Sequence, residues 1–134
     1  MRILFDTNVL VSAFTSFGLC HQAYERALIR TQLITAPLLL QELRRALVEK
    51  MKIEAGLADE ICAELESELE VIEPEPLSKS VCRDKDDNWV LAAALTGRAD
   101  FVVSGDKDLL ILKEFHGIKI LSPRQFVELL DRRK

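Results

Sequence analysis

The chain has 134 residues, 49 % hydrophobic and 30 % charged, a size and balance that fit one globular core and exclude a disordered chain. No apolar run reaches the length of a membrane span, and Met1 and Arg2 lead into a strand-like segment instead of a signal peptide, so one cytoplasmic domain over residues 1–134 is expected, with no membrane association. A formal charge of −4 and a pI near 5.3 exclude a protein that grips nucleic acid through a blanket of positive charge, though not an acidic centre with local basic rims.

The first predicted element is a short strand at about residues 2–6, ending in the run ILFDTN. VLVSAF and the stretch from about Cys20 to Arg30 predict helices, with Asn8 placed to cap the first. QLITA, residues 32–36, is a brief strand that Pro37 stops. Residues 38–51 then predict an amphipathic helix with Leu39, Leu40, Leu43, Ala46 and Leu47 on one stripe. A further helix from about Leu57 to Glu70 is expected to bury Leu57, Ile61, Leu65 and Leu69. EPEPLS, from Glu73 to Ser78, reads as a loop too short to link domains.

Helix resumes near Asp86 and ends about Gly97, a residue suited to a C-terminal cap. FVVS and IKIL are strands, and Pro123 opens a terminal helix. Strands interleaved with helices imply an α/β layer fold around a mostly parallel sheet. No internal repeat or low-complexity tract interrupts the pattern.

Cys20, Cys62 and Cys82 are odd in number and widely spaced, with no pair at metal-ligand spacing, so they read as reduced thiols. His21 beside Cys20 and the isolated His116 do not make a zinc pattern. The basic rims are Arg44 with Arg45, Lys50 with Lys52, Arg83 with Lys85, and Arg132, Arg133 and Lys134, each of which also reads as an ordinary solvated face.

A buried strand that ends on a carboxylate raises the question of what meets the charge. In open parallel α/β sheets, ligands bind outside the carboxyl ends of the strands, and both Asp6, after the first strand, and Asp106, in SGDKDL after FVVS, fall at that edge. Glu42 lies at the rim of the apolar stripe of its helix, and also reads as an exposed glutamate pairing with Arg45. Asp87 shares the stripe of Val90, Leu91 and Ala94 and so points where core residues point. One of Asp84, Asp86 or Asp87 is expected to cap that helix, which accounts for one aspartate and not three. If Asp6, Glu42, Asp87 and Asp106 converge, each pair about 5 Å apart repels by roughly 3 kcal/mol at an effective dielectric near 20. Raised, coupled pKa values are one answer and a hard divalent cation such as Mg²⁺ or Mn²⁺ is the other.

Together these residues resemble the PIN domain, a family of metal-dependent ribonucleases found as toxins of toxin–antitoxin pairs and in RNA-processing proteins. DTNVLVSAF resembles the family's opening strand and helix, PLLLQELRRAL its next acidic helix, and CRDKDDNWVLAAALTGRADFVVSGDKDLL its third and fourth motifs in order and spacing. The last block looks closest to the toxin components, the VapC-like ribonucleases. The resemblance implies a three-layer α/β/α fold, often a homodimer, and metal or catalytic roles for Asp6, Glu42, Asp87 and Asp106. It leaves Thr7, Asn8, Ser104 and Asp108 as auxiliaries, with Ser104 standing where threonine is more usual and Leu109 where phenylalanine is frequent. Arg44, Arg45, Arg83, Lys85 and Lys107 are the candidate contacts to RNA, and an antitoxin protein is the implied partner.

Two other small α/β folds with clustered aspartates fit less well. A receiver domain needs a phosphoacceptor aspartate after a middle strand, which QLITAPLLL does not offer, and a haloacid-dehalogenase-like phosphatase needs DxD where this chain has DTN. The remaining alternatives are a catalytically weak PIN-fold module that binds RNA or protein, and a housekeeping RNA-processing nuclease.

Overall fold

The computed structural model describes residues 1–133. The first half of the chain forms β1 (Arg2–Phe5), α1 (Thr7–Thr15), α2 (Leu19–Arg30), β2 (Gln32–Thr35), α3 (Pro37–Glu49) and α4 (Ala55–Glu68). The second half forms β3 (Glu70–Val71), α5 (Lys85–Thr96), β4 (Phe101–Val103), α6 (Lys107–Leu110), β5 (Glu114–Phe115), β6 (Ile118–Leu121) and α7 (Pro123–Arg132). The sheet order is β3-β2-β1-β4-β6-β5, parallel throughout except for β5, which runs antiparallel to β6 at one edge.

β1 lies at the centre because both of its faces are apolar. Ile3 and Phe5 point to one core with Leu33 and Val103, covered by residues of α1, α2, α3, α4 and α7. Leu4, one residue out of phase, points to the other with Ile34, Val102 and Ile120, covered mainly by α5 and by Leu109 of α6. Strands buried on both faces read as continuous apolar runs, which is why RILF, QLIT and FVV lack alternation. The result is the expected α/β/α arrangement, with the carboxyl ends of β1, β2, β4 and β6 on a common edge.

The departures from expectation have local causes. β3, β5 and α6 are two to four residues long and carry no signal in the sequence pattern, since so short an element leaves no periodicity to read. α4 starts earlier than expected and turns Leu57 outward, 47 % exposed, while Ala58 and Leu65 are fully buried. At 100° per residue Ala58 lies within about 20° of Leu65 and Leu57 about 80° away, so the seven-residue spacing and not the eight-residue one sets the buried face. The basic terminus is described as far as Arg133; Lys134 lies outside the described residues.

Gly97 does end α5, but with φ −80° it is not in the left-handed region; the next residue, Arg98, takes that conformation at φ 55°. Space explains the glycine instead. A Cβ there would lie 2.6 Å from Ile34 Cδ1, 3.0 Å from the Ala93 carbonyl oxygen and 3.2 Å from Ile72 Cγ1. Gly97→Ala is expected to lower stability by about 1–3 kcal/mol through overpacking, read from the shift of the urea midpoint with an unchanged slope.

Candidate functional site

Three chain reversals at the carboxyl edge of the sheet each begin a helix with an aspartate cap, and these caps organise the site. Asp6 leaves β1 in extended conformation, and its Oδ1 accepts a hydrogen bond from the Val9 amide at 3.1 Å. Asp6 is therefore the N-cap of α1, correcting the assignment to Asn8, which is exposed at the cleft mouth. The geometry follows from the short strand: β1 ends at Phe5, so the first side chain free of the sheet is the one that turns back on the helix.

Asp106 caps α6 in the same way, accepting from the Asp108 amide at 2.8 Å, and Asp84 caps α5, accepting from the Asp86 amide at 2.9 Å. Because Asp84 takes the capping duty, Asp87 is left to point with the apolar stripe of α5. It is 7 % exposed, and its Oδ2 has no hydrogen-bond partner. It is the only carboxylate among the described residues with a buried oxygen so orphaned.

Ser104 joins two of these ends. Its hydroxyl, fully buried, donates to Asp6 Oδ2 and accepts from the Asp106 amide at 2.9 Å. Carboxylate oxygens of Asp87, Asp106 and Asp108 lie within 4.8 Å of one another. Glu42 stands on the α3 wall, half-buried, with its Oε2 accepting from the Thr7 hydroxyl at 3.2 Å.

Asp6, Glu42, Asp87 and Asp106 thus line one cleft of about 220 Å³, although they do not form one tight cluster. Asp108, expected only as an auxiliary, belongs to the close triplet, whereas Asp6 and Glu42 stand outside it. The cleft also contains Asp84, Asp86 and Glu49, which lie outside the four acids expected from the sequence, together with Arg45 and Lys50. The signal for Glu49 was present: Glu42, Arg45, Ala46 and Glu49 follow the i, i+3, i+4, i+7 spacing of one helical face. Asp86 has no comparable signal, because its nearness to Glu42 depends on where the start of α5 lies relative to α3.

The expected basic contacts divide. Arg45 lines the cleft, but Arg44 turns away to Asp59 of α4 at 2.5 Å. Lys85 faces a separate groove beside Trp89, Lys107 is exposed on the first turn of α6, and Arg83 bonds Asp108. His21 pairs with Glu25, and all three cysteines are free thiols.

Crowded acids in a partly closed space resist ionisation. Burial pushes Asp87 up to about 7, and the charges of Asp106, Asp84 and Asp6 add to it. Burial also raises Glu42 to about 7, reinforced by its hydrogen bond and charge contact with Asp86 and opposed by Thr7 and Arg45. Asp6 is raised by burial as well, with the bonds from Ser104 and Val9 pulling the other way. The donor set is all carboxylate oxygen, and Asp87, which carries a buried oxygen without a partner, lies close to Asp106 and Asp108, so the site fits a hard divalent cation.

Residues 2–108 match the family model described as PIN domain. The chain is also similar in structure to VapBC2 from Rickettsia felis, solved with a DNA fragment from their promoter, at 14 % identity and a TM-score of 0.66, covering 91 % of this chain and 98 % of that one. VapC20 from Mycobacterium tuberculosis, described as a sarcin-ricin loop cleaving toxin, aligns at 14 % identity and 0.62, covering 87 % and 98 %. VapBC-1 from nontypeable Haemophilus influenzae aligns at 13 % and 0.62, covering 92 % and 99 %. At these identities the likeness shows the fold. No curated protein matches the chain in sequence.

The raised acids have a consequence for stability. A carboxyl whose folded pKa lies above its unfolded value favours folding at low pH, and the advantage is lost as pH rises from about 4 through about 7. In chelator, Asp87→Asn should therefore raise the melting temperature at pH 7.5, and the gain should shrink towards pH 4. A gain independent of pH would mean that Asp87 is not held protonated by its surroundings.

Proposed function

The chain belongs to the PIN-domain family, and from that premise we propose that residues 1–134 form one PIN domain acting as a metal-dependent ribonuclease, the toxin component of a toxin–antitoxin pair. The observation that carries the reading is Asp87, which has a buried, unpartnered Oδ2 and lies beside Asp106 in an acidic cleft, with Asp108 completing the close triplet. Asp87, Asp106 and Asp108 would hold Mg²⁺ or Mn²⁺, with Asp6 and Glu42 at its margin. Bound there, the cation would supply Lewis acidity at the scissile phosphate and make water a usable nucleophile near neutral pH.

The chain's own residues do the rest. Ser104 locks Asp6 and Asp106 in mutual register through one hydroxyl. Thr7 fixes Glu42 by its Oε2, and Glu42, with a pKa near 7, orients the attacking water and accepts its proton. Arg45 and Lys50 meet the RNA phosphates on the α3 side of the cleft.

The toxin assignment draws on the VapC-like fold and on the motif block from Cys82 to Leu110. It implies a small antitoxin protein that silences the cleft, and a cytoplasmic site of action. Among the described residues no helix is long and apolar enough to cross a membrane. A homodimer would bury the apolar surface near Phe17 and Ile29, which are 89 % and 86 % exposed. Sedimentation at high micromolar concentration is expected to show a dimer that Phe17→Ser weakens; a monomer throughout would remove that part of the proposal.

Asp87→Asn is expected to lower Mn²⁺-dependent cleavage of cellular RNA by at least about 100-fold, the order of loss seen when one electrostatic group leaves a reacting centre. Induced at equal levels, the parent chain should slow growth and the variant should not. Harmless expression of both, with slow cleavage by the purified parent, would favour a housekeeping PIN nuclease. Equal toxicity of both would place the harm outside the acidic centre.

A further inference from the structure

Arg83 has a fixed shoulder and a free arm. Behind it, Cys82 is buried, and the Asn88 side chain clamps the loop: its Oδ1 accepts from the Val81 and Cys82 amides at 3.0 and 2.8 Å, and its Nδ2 donates to the Cys82 carbonyl at 3.0 Å and the Ser80 hydroxyl at 2.9 Å. Ahead of it, Asp84 caps α5. The side chain itself is 88 % exposed and reaches across to α6, where Nη2 donates to both carboxylate oxygens of Asp108 at 3.2 Å. Asp108 belongs to the close triplet with Asp87 and Asp106 but, unlike them, is absent from the lining of the cleft.

Among the described residues the one guanidinium bonded to the triplet therefore occupies both oxygens of an acid that a cation would also use. We propose that Arg83 and a divalent cation compete for Asp108, and that the guanidinium displaced from the carboxylate binds a phosphate of the RNA backbone. This rests on the ribonuclease reading above. A carboxylate bonded at 3.2 Å by an exposed arm is readily surrendered, because such surface pairs contribute little. Guanidinium is matched to phosphate as well as to carboxylate, and the clamped loop keeps the released group at the rim. The exchange would thus order events: cation binding frees the group that then holds substrate against the opposite wall from Arg45 and Lys50.

The test is a double-mutant cycle on Mn²⁺ binding by calorimetry, in about 150 mM salt to screen long-range charge. Arg83→Gln should tighten Mn²⁺ binding roughly two- to fivefold, the range expected for releasing an exposed ion pair. Asp108→Asn should weaken it, and adding Arg83→Gln to Asp108→Asn should change nothing further. In steady-state cleavage of single-stranded RNA, Arg83→Gln should raise KM more than it lowers kcat. It should also make the plot of log(kcat/KM) against log salt shallower by about 0.7, the loss of one phosphate contact. Equal tightening with and without Asp108 would show a through-space field and overturn the competition, as would an unchanged Mn²⁺ affinity; an unchanged KM and salt slope would overturn the phosphate contact. If the parent chain takes up no Mn²⁺, or Asp87→Asn takes it up as well, the underlying site fails; if Asp87→Asn abolishes uptake and Arg83→Gln has no effect, only the role of Arg83 fails.

Discussion

A carboxylate at the end of a strand buried on both faces is the constraint around which this molecule is arranged. Asp6 is 4 % exposed, directly after three residues that lie wholly inside the sheet. It is tolerable there because the Val9 amide and the Ser104 hydroxyl both donate to it. The first bond sets the direction of α1 as it leaves the sheet. The second ties the end of β1 to the end of β4, and through the same hydroxyl to the Asp106 amide. Two residues 100 positions apart in the chain are thereby held in one small network.

The remaining acids divide their work by position on helices. Asp84, at the N-cap of α5, satisfies a backbone amide and meets the positive end of the helix. Asp87, three residues on, has no amide to satisfy and lies on the buried face. Like charges brought together in a partly closed cleft oppose folding at neutral pH, and the two apolar cores on either side of the sheet offset that cost. The centre is stable as part of the fold although it is not stabilising by itself. That combination marks a site kept for what it binds.

Net charge says less about such a protein than its distribution does. The cleft concentrates acids with Arg45 and Lys50 on the α3 wall, Arg83 is bonded outside the lining to Asp108, and Arg44, one residue from Arg45, is committed to Asp59 on another face. A one-residue step on a helix turns a side chain by about 100°, enough to separate a cleft residue from a structural one. The same reliance on pattern explains how structures at 13–14 % identity keep a TM-score of 0.62–0.66. A core asks for apolar residues of suitable volume in the right phase and tolerates many particular choices.

The order of the longer strands and helices, the mostly parallel sheet and four of the acids that line the cleft, Asp6, Glu42, Asp87 and Asp106, were legible in the amino-acid sequence. Each depends on short-range regularities: apolar runs for the buried strands, a 3.6-residue stripe that carries Asp87 inward, and motif spacings shared with the PIN family. Only the tertiary structure decided that Asp6 and not Asn8 caps α1, because the cap depends on the residue at which β1 leaves the sheet. It also decided that Asp108 joins Asp87 and Asp106 while Glu42 faces Asp86 across the cleft. Those distances arise from where α3, α5 and α6 meet the carboxyl edge of the sheet, and a periodicity along one helix carries no information about where a second helix will lie.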